Sequence, residues 1–311
     1  MSRPSRSYLI IVNPVSGKGG GRVRARTLAD SLAESASVEV VETSARGDAT
    51  EIAAERGLQH ERVVAVGGDG TLNEVLTGLA TLQRSAADLP ELGFLPSGTA
   101  NAAAPAFGLG TDPVAMARGL EGRGGCDATT SRAVDFGVVR TDAGERPFLL
   151  WCGAGYDAVV IDALNSARTG RMGLLGLVRN APSVTARIIG YEEPPIQVTV
   201  DGKEWGDIGG VIIANVADVA FGGTIAGPAD PFDGRMDVVA AARGVKRRLP
   251  LLGLAMLGSG LHAARGMRWA PASSVALSSP GPVPVQIDGE PSGTLPVDVR
   301  VVPEGVRLLL T

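Results

Sequence analysis

The chain has 311 residues, 44% of them hydrophobic and 20% charged, with 43 glycines and 20 prolines. That balance excludes an intrinsically disordered chain and allows two folded cores. The net charge of −4 gives no reason to expect nucleic acid, and two cysteines (Cys126, Cys152) and two histidines (His60, His262) without ligand spacing argue against a disulfide framework or a zinc site.

Tyr8–Val12 is too short an apolar run for a secretory signal, and Leu249–Leu261 is shorter than the roughly 20 residues that a membrane span needs. A cytoplasmic protein with reduced thiols is expected, and peripheral contact at the inner membrane face stays compatible with that.

After a basic tail, Tyr8–Val12 reads as a strand leading into Asn13-Pro14-Val15-Ser16-Gly17-Lys18-Gly19-Gly20-Gly21 and a helix over Arg22–Ala33. Lys18, Arg22 and Arg24 put positive charge on this glycine-rich loop. A flexible loop with solvated charges is the plain alternative. Val38–Glu42 is a second strand, ending at Thr43, and Asp48–Arg56 is a helix.

The next strand, from Val63 to Val66, ends in Gly67-Gly68-Asp69-Gly70-Thr71, and a helix follows over Thr71–Leu79. Thr71 can cap that helix, with Glu74 completing a capping box. Glycines let backbone N–H groups approach a ligand, and the helix amino end favours phosphate. Asp69 repels phosphate unless a cation intervenes. It therefore reads as part of a Mg²⁺-nucleotide site, as a base near a transferred phosphoryl group, or simply as a capping carboxylate. Glu91–Leu95 is a fourth strand, closed by Pro96-Ser97-Gly98-Thr99-Ala100-Asn101, and Asp112–Leu120 is a helix before a glycine-rich linker. Alternating strands and helices predict a doubly wound parallel sheet with its ligand edge at the strand carboxyl ends.

From Arg132 onward strands dominate. They are predicted at Ala133–Arg140, Phe148–Cys152, Ile196–Val200, Gly210–Asn215, Arg235–Ala241, Met267–Ala270, Ser274–Ser278 and Val283–Ile287, with two more in Leu295–Leu310. Their spacing predicts an antiparallel β-sandwich. Helical segments interrupt at Asp157–Ile189, which carries Arg168, Arg171, Arg179 and Arg187, and at Lys246–Leu261, which starts Lys246-Arg247-Arg248. Such segments either cover a sheet or touch an anionic membrane surface. The division is thus α/β over 1–131, completed by about 298–311, and β-sandwich over 132–297.

Taken together, Asn13-Pro14-x-Ser16-Gly17, Gly67-Gly68-Asp69-Gly70-Thr71, Gly98-Thr99-x-Asn101, Gly153-x-Gly155-x-Asp157-Ala158, Phe221-Gly222-Gly223, Asp233-Gly234 and Asp288-Gly289-Glu290 resemble the diacylglycerol kinase catalytic-domain family. Nearly the whole chain is covered. The resemblance implies a two-domain lipid kinase that uses ATP and Mg²⁺, with its active site in a cleft. It implies nucleotide contacts from Asn13, Pro14, Ser16, Gly17, Thr43, Gly67, Gly68, Asp69, Gly70, Thr71, Asn73 and Thr99, within motifs that include Gly98 and Asn101, while Lys18 supplies positive charge. Asp288 and Glu290 would bring carboxylates to the acceptor hydroxyl, one as general base. Asp233, with carbonyls near Asp230 and Arg235, would hold Mg²⁺. Expected partners are a lipid presented at a membrane surface, which needs an apolar cavity in the second domain, and no nucleic acid. A homodimer is compatible with the resemblance.

Three points stay open. Asp288-Gly289-Glu290 also reads as a hairpin turn. Ala102 stands where the family often has Asp, and Asn215-Val216 where it has Asn-Gly. A NAD or sugar kinase, or a catalytically inactive lipid- or nucleotide-binding protein, are the competing readings.

Overall fold

The computed structural model describes residues 6–122, 129–166, 182, 185–187, 189–219, 223–244 and 255–310. The chain divides into two units, Met1–Val134 with Glu304–Thr311, and Asp135–Pro303.

In the first unit, strands β1 (Ser7–Val12), β2 (Ser37–Glu42), β3 (Arg62–Gly67) and β4 (Glu91–Pro96) run parallel. Their order is β2-β1-β3-β4, with Leu308 of β17 (Val297–Leu310) beside Leu92. β1 and β3 are continuous apolar runs buried on both faces, as interior parallel strands require. β2 is the edge and keeps partial exposure. Helices α1 (Gly20–Leu32), α2 (Asp48–Arg56), α3 (Asp69–Thr81), α4 (Ala103–Ala106) and α5 (Pro113–Leu120) connect or follow the strands. Leu28, Leu32, Met116 and Leu120 pack on Ile10, Val64 and Leu95. Because β2 and β3 lie on opposite sides of β1, the loops leaving β1 and β3 diverge between these strands. This is the switch point at which open α/β sheets bind ligands.

The second unit is mainly antiparallel. Its strands are β5 (Thr130–Thr141, whose first residues belong to the first unit), β6 (Gly144–Phe148), β7 (Trp151–Gly155), β8 (Ile196–Val200), β9 (Lys203–Ala214), β10 (Asp218–Val219), β11 (Gly223–Thr224), β12 (Met236–Ala242), β13 (Met267–Ala272), β14 (Ser274–Ser278), β15 (Pro284–Ile287), β16 (Glu290–Thr294) and the start of β17. Ladders run β16-β15-β7-β9-β8-β14-β17, with β12 on β9 and β13 on β12. Phe148, Ile196, Ile213, Val238 and Val285 form its core. Helix α6 (Tyr156–Ser166) packs on β7, β9, β15 and β16.

Several local expectations are corrected. Helix α3 starts at Asp69 after Gly68 with no side-chain cap, so Thr71 does not cap it and Glu74 closes no box. Thr71 is buried against Gly67, where a Cβ would lie 2.3 Å from its Oγ1. The apolar run Phe148–Cys152 is not one strand, since β6 ends at Phe148 and β7 begins at Trp151. Leu295–Leu310 yields one long strand, β17, rather than two. Of the predicted basic helix, Tyr156–Ser166 is helical, and Arg187 pairs with Asp162 at 2.5 Å. Arg168, Arg171, Arg179, Phe221, Gly222 and Lys246-Arg247-Arg248 lie outside the described residues. Among the described residues no helix is long and apolar enough to cross a membrane.

Candidate active site

The loop leaving β1 is built for close approach. Ser16 donates its Oγ and its amide to the Asn13 carbonyl at 2.9 and 3.2 Å, and the Ser16 and Ser97 hydroxyls are 2.6 Å apart. Gly17, Lys18 and Gly19 then take φ of 57°, 60° and 88° in succession. A Cβ on Gly17 would sit 2.2 Å from the Ser97 carbonyl oxygen, so the left-handed turn and the contact both require glycine. Lys18 adopts the same region at a cost of about 1–2 kcal/mol. Helix α1 follows with no side-chain cap and no acid in its first turn. The Gly20 amide that opens it donates to the Ser16 and Gly17 carbonyls, and the positive end of the helix still favours an anion. Arg22 pairs with Glu42 at 2.6 Å, and Arg24 donates to the Pro96 carbonyl at 3.1 Å. Among the described residues Lys18 makes no ion pair and is exposed, which leaves it as the cation at this edge. Thr43 donates its amide to the Val12 carbonyl at 2.9 Å, beside the exit of β1. Asn13 folds its own Oδ1 back onto the Val15 amide, ahead of which Pro14 fixes the turn.

The exits of β3 and β4 are packed on each other. The Ser97 and Gly98 amides both donate to the Gly67 carbonyl, at 2.6 and 3.0 Å, and a Cβ on Gly98 would meet the Gly68 Cα at 2.5 Å. Gly70 faces open space. Asp69 spans the gap, its carboxylate accepting the amides of Ala102 at 2.9 Å and Ala103 at 3.0 Å. It thereby caps the amino end of α4, a helix other than the α3 that it opens. Because the partner is the backbone of Ala102, the missing side-chain carboxylate at that position leaves the clamp intact. Asn101, at φ 48°, donates Nδ2 to the Gly98 carbonyl at 3.0 Å, and its buried Oδ1 has no partner. Thr99 is exposed, while Asn73 is buried inside α3.

In the second unit Asp288 and Gly289 are the two turn residues of the β15–β16 hairpin, with φ of 48° and 81° and Ile287 opposite Glu290. Two left-handed residues in sequence give the turn that Asp-Gly favours. The Asp288 carboxylate is buried and accepts the amides of Leu149, Leu150 and Trp151 at 2.9, 2.9 and 3.1 Å. This is what breaks the apolar run between β6 and β7. Three of about four acceptor positions are filled, so Asp288 is poorly disposed to take a substrate proton. Glu290, at the start of β16, is only partly buried.

Two residues without an assigned role stand behind this hairpin. Asp157 Oδ2 accepts Gln286 Nε2 at 2.6 Å, and Gln286 Oε1 accepts the Gly289 amide at 2.7 Å. Asp157 lies over Gly153, where a Cβ would come within 1.8 Å of its Oδ2. The residue keeps some surface, but loss of solvent around the carboxylate pushes its pKa up to about 6, against the opposing pull of the Gln286 amide and the nearby Trp151 indole. Asp157 stands in the quoted Gly-x-Gly-x-Asp motif. Gln286 sits in an ordinary strand and carried no signal.

The residues expected to hold a metal lie in one tight turn. Asp230 Oδ1 accepts the Phe232 amide at 3.2 Å and Asp233 Oδ1 accepts the Arg235 amide at 2.9 Å, while buried Asp135 accepts the Gly234 amide at 2.6 Å. These carboxylates shape the turn over residues 230–235. Asn215 is likewise structural, donating Nδ2 to the carbonyls of Asp135 and Leu149, both at 2.8 Å. A cavity of about 540 Å³ in this unit is lined by Arg140, Gln197, Thr199, Glu204, Ser278 and Asp298 among others. It is polar and includes none of the predicted site residues, so it is not the apolar lipid cavity expected from sequence.

Comparison with known proteins supplies the context for this geometry. Residues 7–130 match the model of the diacylglycerol kinase catalytic domain, and residues 151–310 match the YegS C-terminal NAD kinase beta sandwich-like domain. The chain is 28% identical over 313 residues to a diacylglycerol kinase of Mycobacterium tuberculosis, covering 96% of this chain and 93% of the relative. It is 29% identical over 289 residues to a probable lipid kinase YegS-like of Stenotrophomonas maltophilia, covering 88% and 86%. A crystal structure of a diacylglycerol kinase from Bacillus anthracis superimposes with a TM-score of 0.76 at 20% identity, covering 100% of this chain and 99% of that one. At that identity the likeness speaks for the fold alone.

Proposed function

The chain belongs to the diacylglycerol kinase catalytic-domain family, and from that premise we propose that it is an ATP-dependent lipid kinase acting on a hydroxyl of diacylglycerol or a related lipid. One observation carries the nucleotide half of this reading. The exits of β1, β3 and β4 are walled by Gly17, Gly67 and Gly98 at spacings that admit no side chain, with Lys18 exposed beside them. Such a wall suits the phosphates of a nucleotide. Mg²⁺ enters this reading with the nucleotide, as the counter-ion of its phosphates. A second Mg²⁺ in the turn at Asp233, with backbone carbonyls near Asp230 and Arg235, is also part of the proposal.

In the proposed reaction the lipid hydroxyl oxygen forms a bond to the γ-phosphorus, the bond to the β–γ bridging oxygen breaks, and ADP leaves. The hydroxyl proton goes to the Glu290 carboxylate. Asp288 holds the hairpin, and Asp69 holds the β4 exit loop that carries Gly98 and Thr99. Positioning and charge neutralisation supply most of the rate in such transfers. Peripheral contact with an anionic membrane is part of the proposal. Leu257, which follows the basic 246–248 sequence, is 74% exposed.

The test is transfer of labelled phosphate from Mg²⁺-ATP to vesicles of anionic phospholipid containing diacylglycerol, with NAD and a sugar mixture in parallel. Labelled phosphatidic acid supports the reading. Label in NAD or sugar alone transfers it to those classes, and no label anywhere leaves a nucleotide- or lipid-binding protein without transferase activity.

A further inference from the structure

Helix α6 holds both backbone polar groups of Gly289, the N–H through Gln286 and the carbonyl directly. Near the start of the helix, Asp157 Oδ2 accepts Gln286 Nε2 at 2.6 Å, and Gln286 Oε1 accepts the Gly289 amide at 2.7 Å. Near its end, Asn165 Nδ2 donates to the Gly289 carbonyl at 2.9 Å. Gly289 is the residue between Asp288 and Glu290, at φ 81°. Gln286 is wholly buried, so its amide has no water to turn to. Its orientation is decided by what faces it. An ionised carboxylate only accepts, which commits Nε2 to Asp157 and Oε1 to Gly289.

We infer that Asp157 is a positioning residue for the phosphoryl transfer proposed above. Acting through Gln286, it fixes the Gly289 peptide and so the direction in which Glu290 leaves the hairpin. The inference rests on the lipid-kinase reading with Glu290 as proton acceptor.

Two further observations favour a role beyond packing. Gly153 leaves the space that the Asp157 carboxylate fills, so the position accepts this side chain at the expense of one beneath it. The carboxylate is also held where burial resists its ionisation, a stability cost that a neutral hydrogen-bonding side chain would avoid. Displacing a catalytic group by about 1 Å is enough to slow a positioned reaction by about 10²-fold.

The experiment compares the full-length chain with Asp157→Ala, Asp157→Asn and Asn165→Ala. Three quantities are read: kcat with vesicle-borne diacylglycerol, KM for ATP, and the hydrogen-exchange rate of the Gly289 amide. Asp157→Ala is expected to lower kcat roughly 10–100-fold, the range seen when a supporting hydrogen bond behind a reactive group is lost. Asn165→Ala, near the end of the helix, should lower it about fivefold, a smaller loss of positioning. In both, KM for ATP stays within about twofold of wild type, because the interaction lost is made at the acceptor side. In Asp157→Ala, Gly289 exchange accelerates about tenfold or more, as the bond from its amide to Gln286 opens. Asp157→Asn keeps an acceptor for Gln286 and is expected to restore kcat to within about threefold of wild type, as a preserved hydrogen bond would.

A wild-type enzyme active on lipid, with Gly289 exchange unchanged in Asp157→Ala, overturns this inference alone. So does faster exchange in Asp157→Ala with kcat unchanged in both alanine variants, and so does a kcat loss matched by an equal rise in KM for ATP. A wild type that phosphorylates no lipid overturns the kinase reading and the inference with it, whatever Gly289 does.

Discussion

Asp69 accepts the amide of Ala102 at 2.9 Å, which joins the first residue of one helix to the residue that opens another. Its second oxygen takes the Ala103 amide. Removing the carboxylate therefore strands two donors as well as changing the charge beside the glycine wall. For Asp69→Ala we expect melting of the first unit to fall by the equivalent of about 2 kcal/mol, from two partly solvated orphan amides. Turnover should fall on the order of 10²-fold or more through the displaced loop. Calorimetry and lipid-kinase assays on the same preparation check this. Loss of turnover at wild-type stability would return Asp69 to a purely electrostatic part.

The two carboxylates of the hairpin should separate cleanly. Asp288→Asn puts an NH₂ group among three backbone donors and is expected to destabilise the second unit by roughly 2–4 kcal/mol. Glu290→Gln should leave melting unchanged and reduce kcat by about 10²–10⁴, the range for a general base. Chemical denaturation alongside steady-state kinetics reads both. A Glu290→Gln enzyme at full speed would remove Glu290 as the proton acceptor.

Gly17→Ala tests the wall itself. Alanine at φ 57° costs about 1–2 kcal/mol, and its Cβ would press to within 2.2 Å of the Ser97 carbonyl. We expect at least about a tenfold loss in affinity for Mg²⁺-ATP, measured by calorimetric titration, since each 1.4 kcal/mol is a factor of ten. Equal affinity would mean that the phosphates bind elsewhere.

The pH dependence of stability follows from Asp157. Its folded pKa, about 6, lies above the ordinary 3.8, so the native state holds this proton more tightly than the unfolded chain does. The resulting stabilisation is fully present below pH 3.8 and is lost as pH rises through about 6. After discounting for partial exposure it amounts to about 2 kcal/mol. Asp157→Asn removes it. The melting temperature of the variant relative to wild type should be highest near neutral pH and fall as pH drops towards 4. A difference that does not move with pH would show that the carboxylate titrates normally.

Much of the first unit was legible because its signals are local. β1 and β3 are unbroken apolar runs, and α2 covers Asp48–Arg56, the predicted span. The start of α3 was misread because Gly68 and Asp69 are set by the facing Gly98 and Ala102 loop, which a capping pattern within one segment does not contain. Phe148–Cys152 looked like a single strand for the same reason. Its interruption is imposed by Asp288, far along the chain. The motifs pointed to Asp288 and Asp157 as residue types in a spacing, but their partners are backbone amides and a strand glutamine that carry no sequence signature.

Strand β17 pairs with β14 through Val297–Arg300 and with β4 at Leu308. On a ribosome, β1 to β4 emerge long before their neighbour at Leu308 exists, so β4 presents an unpaired edge for most of synthesis. The first unit thus acquires its final strand only after the second has been made. Nascent chains arrested before residue 300 should consequently be caught by chaperones that bind open sheet edges, and released once β17 has emerged.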